Sequence, residues 1–405
     1  MDLKSGYPWW AVKNGLMRAF PVLDQDRDCD IAILGGGITG ALIADHLQNA
    51  GHDVLVLEQR DIGWGSTAAS TALLQYEIDT HLIDLIKQYG QADGALAYLA
   101  CADAVSELGV LARELRDVGY QRADSLYLAS RWRHARVLAQ EHAARRDIGL
   151  KLEYLPGDAV RDRFGLNAPA ALLSSQAAWV DPYRLAHRLL QRVAERGGGV
   201  FDRSAMVRLQ AQPRHVLLWT EQGQRVRAKQ VVVAAGYASQ QWLDRKVAQN
   251  RSSYAFVTDP QDPAALDFLK RTMVWESARP YIYLRSTSDH RIVVGGEDDA
   301  VDVPARRDAR VKKKAAKLAT RVLELFPQLD MRPAFAWAGT FAETRDGLPF
   351  FGPHPQHGSR VHFAMAYGGN GITYSQIGAG LLRARIERRA HPLAKLFSFD
   401  RLDKR

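Results

Sequence analysis

The stretch 31-IAILGGGITGALIADHLQNAGHDVLVLE-58 packs three adjacent glycines, an apolar helical pattern and a terminal acid into one short run. IAIL (31–34) is a short apolar segment ending in glycine, as a fully buried parallel strand does. From 38 to 50 the pattern turns helical, with Ala41, Leu42 and Leu47 on its inner side and Gly51 at the usual C-terminal stop. VLVL (54–57) is the next buried strand, which completes a βαβ unit. Gly35, Gly37 and Gly40 satisfy GxGxxG. The first glycine allows the tight turn, the second lets a pyrophosphate approach the backbone, and the third packs helix against strand. The helix N-terminus then offers N–H groups and positive dipole charge to phosphate. Glu58 follows Gly37 by 21 residues, where a carboxylate accepts both ribose hydroxyls of an adenosine and repels a 2′-phosphate. The unit reads as a dinucleotide site, and NAD and FAD both fit it.

Two further segments bear on that choice. In GWGSTAAS (63–70), Gly65, Ser66 and Thr67 form either a loop along a second phosphate or flavin, or a plain Gly/Ser loop. In AYGGNGIT (366–373), Gly368, Gly369 and Gly371 expose N–H groups ahead of a helix expected from about 373 to 389. Its positive end suits the N1–C2=O edge of a flavin, where it stabilises the reduced anion.

Outward from these motifs, 81–147 is mostly helical in pattern and a helix is expected from about 182 to 196. VVVAAG (231–236) is another buried strand ending in glycine. YIYLRSTSDHRIVVGGE (281–297) alternates like an antiparallel sheet, and helix, strand and helix follow over 306–326, 334–341 and 373–389. The fold class is α/β, mixed: a discontinuous Rossmann-like domain woven through 1–95, 166–240 and 335–405, with an antiparallel or mixed-sheet domain from 96–165 and 241–334.

The bulk properties are those of an ordinary globular protein with room for a large core: 405 residues, 47% hydrophobic, 24% charged. Two cysteines, Cys29 and Cys101, exclude a disulfide framework, and neither lies in a metal-ligand pattern. The N-terminus lacks a cleavable apolar leader, and no run reaches the ~18 apolar residues of a membrane span. A cytoplasmic protein is expected. The net charge of +9 is spread along the chain, so its basic runs read as solvated faces, not as a nucleic-acid site.

With YPWW (7–10), VDPYRLAHRLL (180–190) and FAETRDGLPFFGP (341–353) added in this order, the chain resembles the D-amino-acid-oxidase-like family of FAD-dependent amine oxidoreductases, which includes glycine oxidase, sarcosine oxidase and gamma-glutamylputrescine oxidase. The resemblance covers nearly the whole chain. It implies an enzyme that oxidises the C–N bond of a small amine or amino acid by hydride transfer to flavin N5, with oxygen or another acceptor taking the electrons. It also implies FAD contacts at Ile38, Thr39, Gln59, Val207, Ala235, Gly236, Gly347, Asn370, Ile372 and Thr373, beside the motif glycines, Glu58 and the 65–67 loop. The flavin is expected to be non-covalent, because Ala69 stands where related dehydrogenases carry a flavin-linked histidine. No metal is implied.

Four residues are candidates for substrate handling. Arg285 lines up with a carboxylate-binding arginine of glycine oxidase, or is a surface strand arginine. Glu297 holds a substrate ammonium, or ends a strand at an exposed turn. Tyr281 and Tyr283 share Arg285's strand face by period two, so they wall the pocket or are ordinary sheet residues. A second arginine of glycine oxidase is Phe341 here; the lysine and histidine near the flavin of monomeric sarcosine oxidase are Val293 and Glu297. Two rival readings use the same FAD fold: an oxidoreductase acting on a modified tRNA base, and a non-catalytic flavoprotein assembly or binding factor.

Overall fold

The computed structural model describes residues 3–6, 8–301, 303–365 and 367–403. Tyr7 of YPWW, Ala366 of AYGGNGIT and the end of the basic tail lie outside them. Among the described residues the strands form two sheets, of eight and nine strands. The quoted segment builds the centre of the first: strand Arg27–Leu34, helix Ile38–Asn49 and strand Val54–Leu57. Arg27–Leu34 runs parallel to both Val54–Leu57 and Arg225–Val233. Val361–Met365 and Gly199–Phe201 extend the parallel order on either side, and Phe350–Pro353 closes one edge antiparallel. The all-buried apolar strands are what a sheet covered on both faces requires.

Helices Ile38–Asn49, Pro182–Glu195 and Gly371–Ile386 bury their apolar sides against one face of this sheet. Gln91–Leu115 packs in the same core. By length and composition this helix is apolar enough to cross a membrane, with a mean hydropathy of 1.5 over a window half of which is buried, contrary to the expectation of no such run. Ala97, Tyr98, Cys101, Val105 and Leu108 give it a buried stripe at helical spacing, as in a core helix.

The second sheet runs Pro333–Glu343, Gln249–Thr258, Ile292–Asp299, Ile282–Ser286, Thr272–Glu276, Gln121–Leu128, Ala170–Trp179, Leu73–Gln75. It is mixed, with one parallel pair, Gln121–Leu128 and Thr272–Glu276. Helix Val311–Leu325 covers one face. Several strands differ from the expected division: Leu73–Gln75, Ala170–Trp179 and Pro333–Glu343 hydrogen-bond in this second sheet, although the ranges 1–95, 166–240 and 335–405 place them with the first. Helix Gln91–Leu115, which the expected boundary at 95/96 divides, touches strands Leu73–Gln75 and Ala170–Trp179 of the second sheet as well as helix Gly371–Ile386 beside the first. Periodicity identifies a strand but not its hydrogen-bonded neighbour.

Two buried histidines make the fold acid-sensitive. Burial pushes the imidazoles of His187 and His362 down to about 4, with Arg385 adding to the effect at His362. Above pH 6.5 both are neutral in folded and unfolded chains. Between about 6.5 and 4 the unfolded chain binds protons that the fold refuses, so stability falls with falling pH, by up to about 3 kcal/mol for each histidine. The melting temperature should therefore drop steeply from pH 6.5 to pH 4.5, and the slope should shrink in His187→Met.

Candidate functional site

The parallel strands end together at the glycine turn. Gly35 N–H donates to Leu57 O at 2.8 Å and Ala234 N–H to Leu34 O at 2.8 Å, which seats the turn between two strand ends. Gly35 has φ +119°, open to glycine, and a Cβ there would lie 2.4 Å from Ala234 O. A cleft with about 1780 Å³ of open space starts here and runs to the second sheet. Gly35, Gly37, Ile38, Thr39, Glu58, Gln59, Gly65, Ser66, Thr67, Ala235, Gly236, Gly369, Asn370, Gly371 and Ile372 all line it. The structure thus brings together most of the residues chosen from sequence for FAD.

Local chemistry at this end fits a dinucleotide. The Glu58 carboxylate accepts Gly36 N–H at 2.8 Å and Arg60 N–H at 2.9 Å. Burial raises its pKa, and those N–H groups oppose the rise. Ile38 N–H donates to Thr67 Oγ1 at 2.9 Å, so the 63–70 loop closes over the helix N-terminus. The Ser66 hydroxyl is buried with no hydrogen-bond partner among the described residues, and a Cβ on Gly37 would lie 3.0 Å from Thr67 Oγ1. A buried polar atom without a partner is costly unless a ligand satisfies it. A pyrophosphate over the glycine turn would do so, and the residues present fit FAD.

Four of the expected cofactor residues do not line the cleft. Gly40 packs helix on turn. Gly347 has φ +71° and its carbonyl accepts Tyr374 O–H at 2.8 Å. Thr373 Oγ1 donates to Gln75 O at 3.3 Å. Val207 is 57% exposed on strand Met206–Ala211, and Met206 lines the cleft instead. The register of this short two-sided strand is set by pairing, which spacing does not reveal.

At the far end Tyr281 and Tyr283 line the cleft with Trp275, Tyr237 and Asp79. Tyr281 and Tyr283 meet with ring centroids 5.7 Å apart. Tyr283 lies over Gly295, where a Cβ would be 2.4 Å from the ring, so only glycine admits the tyrosine there. Trp275 stacks on Tyr127 at 3.7 Å and donates to Ser125 Oγ at 3.0 Å. Burial raises both phenols, Tyr283 to about 12, so each stays a neutral donor at neutral pH. Gly369 N–H, ahead of helix Gly371–Ile386, donates to Asp79 Oδ2 at 3.0 Å.

Two expected substrate residues stand elsewhere. Arg285 is 1% exposed and absent from the cleft lining. It donates to Thr71 O at 2.9 Å, Ser286 O at 3.1 Å and Val180 O at 3.4 Å, with its guanidinium near the rings of Trp10 and Trp179. Period two does put it on Tyr283's face, but one step further along the strand the cleft has closed. Its role is structural. Glu297 is also 1% exposed and is held by Arg321, Lys317 and Lys314 of helix Val311–Leu325, with Arg321 at 2.7 Å and Lys317 at 2.8 Å. It does not end a strand, since Ile292–Asp299 continues through it. Glu297 has φ +54°, where the register against Gln249–Thr258 slips, and this bulge turns its side chain to the helix.

The same bulge holds Asp298, which the sequence reading passed over, opposite Ser253 of strand Gln249–Thr258. Its Oδ1 is buried without a partner among the described residues. Burial raises the Asp298 carboxyl to about 7; Ser253 opposes the rise with a hydrogen bond, and Asp79 and Glu343 add to it. Asp79, Trp275 and Tyr237 were also missed. They come from a loop, a strand and a 3-10 helix far apart in sequence, and no local pattern joins them.

The FAD dependent oxidoreductase (DAO) family model matches residues 30–385. Gamma-glutamylputrescine oxidoreductase of Escherichia coli (strain K12) is 28% identical over 403 residues, 94% of this chain and 89% of that protein. Glycine oxidase of Geobacillus kaustophilus (strain HTA426) is 26% identical, covering 89% of this chain and 93% of the relative. The crystal structure of glycine oxidase from Geobacillus kaustophilus superposes with a TM-score of 0.76 at 22% identity, over 92% of this chain and 98% of that one, and so shares its fold. The glycine turn, the acid strand and the closing helix thus have their counterpart in a shared family, and the chain belongs to the DAO family of FAD-dependent oxidoreductases.

Proposed function

We propose that the protein oxidises the C–N bond of a small primary or secondary amine or amino acid. One observation carries the reading: a single cleft joins the glycine turn and Glu58 at one end to the tyrosine wall of the second sheet at the other. FAD, when bound, supplies the hydride acceptor for this chemistry. The protein's share is placement. The glycine turn, Ser66 and Thr67 hold the pyrophosphate, and Glu58 holds the ribose. Tyr281, Tyr283, Tyr237 and Trp275 keep water from the reacting carbon and fix the substrate's approach. The positive end of helix Gly371–Ile386 would stabilise negative charge gained on reduction. Oxygen or a separate carrier takes the electrons afterwards. Cys29 and Cys101 are buried and unpaired, which supports a reducing compartment such as the cytoplasm.

The test is the visible spectrum of the purified protein, recorded anaerobically with a panel of amines and amino acids, then on the supernatant after acid precipitation. Flavin bands bleached by one substrate and released by acid are the expected result. Bands that no amine bleaches would overturn the reading.

A further inference from the structure

Trp9 and Trp10 of YPWW have no part in the chemistry described so far, yet the segment that carries them reaches the cofactor cleft. Residues 3–5 lie along the free edge of Pro333–Glu343, the outer strand of the second sheet, where Lys4 pairs with Gly339. Ser5 N–H donates to Ala338 O at 2.9 Å, Thr340 N–H to Leu3 O at 2.8 Å and Ala338 N–H to Ser5 Oγ at 2.6 Å. Arg307, fully buried, pins the segment further: its guanidinium donates to Lys4 O at 2.8 Å and to Thr340 Oγ1 at 2.9 Å. Leu3 is thereby held in the wall of the cleft with Gly65 and Ser66, and a Cβ on Gly65 would lie 3.9 Å from its Cδ1.

The same segment grips the 63–70 loop. Lys4 Nζ lies 3.9 Å from the centroid of the Trp64 ring, and Trp10 Nε1 donates to Ser70 O at 2.6 Å. Trp337, on the outer strand, donates to Ala69 O at 2.9 Å. Trp9, Trp10, Ala68 and Trp337 then close into one apolar cluster with Ala255, Val257 and Val293 of the second sheet. The loop needs this support. Its own helix, Ser66–Ala69, is about one turn long, and one turn does not hold itself in water. The place of Ser66 and Thr67 over the glycine turn therefore depends on what clamps the loop from outside. Covering a bare sheet edge would take only the bonds to Ala338 and Thr340. The indole on Ser70 and the ammonium on Trp64 go beyond that task.

We propose that residues 3–14 form a cofactor strap: they hold the 63–70 loop shut on FAD, and FAD leaves the protein when the strap lifts from strand Pro333–Glu343. Leu3, Lys4, Trp10 and Arg307 are positioning residues in this arrangement. Leu3 completes the cleft wall. Lys4, Trp10 and Arg307 stand outside the described lining and act through the loop and the strand edge. A few hydrogen bonds at a sheet edge open at lower cost than the buried parallel sheet, so the strap is the element that gives first. None of this depends on which amine is oxidised.

The experiment follows FAD release from the FAD-loaded protein. After dilution to nanomolar concentration, the rise of free-flavin fluorescence gives the dissociation rate. Arg307→Met and Trp10→Phe should each release FAD at least tenfold faster than the wild type, although neither side chain lines the cleft, and Leu3→Ser should do the same. Gly51→Ala, strained at the far end of helix Ile38–Asn49, is the control for lost stability and should release FAD at the wild-type rate. If Arg307→Met fails to fold, Lys4→Met, which removes the charge over Trp64, decides in its place and should also release FAD faster. Fast release confined to Leu3→Ser makes Leu3 an ordinary wall residue and overturns the strap. So does a rate in Arg307→Met or Lys4→Met no faster than in Gly51→Ala, because the loop then keeps its place without the edge contact. A protein whose flavin no amine bleaches would fail as an amine oxidiser, and its FAD release rate would still decide the strap.

Discussion

Gly40→Ala yields a protein that folds but holds little FAD, with the ratio of flavin to protein absorbance down at least tenfold. A Cβ on Gly40 would lie 1.9 Å from Gly35 O and 3.1 Å from Gly35 C. Both are backbone atoms, so no side chain can swing aside. Nor can Gly35 retreat, because its own space is closed by Ala234 and its N–H is tied to Leu57. Helix Ile38–Asn49 must therefore slide from the strand ends, taking with it the N–H groups that face the phosphates. A factor of ten is only about 1.4 kcal/mol of binding energy, less than the misplacement of two or three charge-assisted hydrogen bonds. The control is Gly51→Ala at the other end of the same helix. Gly51 has φ +88° with nothing near a Cβ, so that change costs about 1–2 kcal/mol of backbone strain and should leave FAD content alone. Equal flavin loss in both variants would mean that helix stability, not the glycine contact, sets the affinity.

This contrast shows what the sequence could and could not disclose. Gly35, Gly37, Gly40 and Glu58 lie within one βαβ unit, where the geometry that binds phosphate is local and leaves a local trace. The 65–67 loop and the 368–371 turn are legible for the same reason, since free N–H groups need glycines ahead of a helix. Arg285 and Glu297 went wrong because a strand's period gives the face but not how far the cavity extends along it. Glu297 illustrates the limit most clearly. One bulge turns it out of the sheet toward the helix, where Arg321 holds it. A trace of this was present: Lys314, Lys317 and Arg321 recur at helical spacing on one face of Val311–Leu325, and such a stripe calls for an acid opposite it. The Asp79 position had no trace at all, because what fixes it is a buried ion pair over sixty residues away.

That pair carries the second large effect: Glu141→Ala should destabilise the protein by about 3–5 kcal/mol. Glu141, on helix Trp132–Asp147, is fully buried. Its Oε1 accepts Leu82 N–H at 2.8 Å, Arg145 Nε at 2.8 Å and Tyr98 O–H at 3.2 Å, and its Oε2 accepts Ile83 N–H at 3.1 Å. It thereby caps helix Leu82–Tyr89 from a distant helix, while Tyr98 O–H also donates to Thr80 O at 3.1 Å. Burial pushes the Glu141 carboxyl up, but Arg145, His81 and the Leu82 N–H outweigh it and its pKa falls. Removing the carboxylate strands the buried Arg145 charge and two helix N–H groups together. It also frees the 78–83 segment, so Asp79 loses its place at the Gly369 turn and the KM for amine should rise. Urea unfolding separates the contributions: Glu141→Ala with Arg145→Met should be more stable than Glu141→Ala alone, because the second change removes the orphaned charge and fills its volume. If the double variant is the less stable of the two, the pair acts by packing and not by charge, and the link from Glu141 to the cleft through the helix cap is what remains to explain the shift in KM.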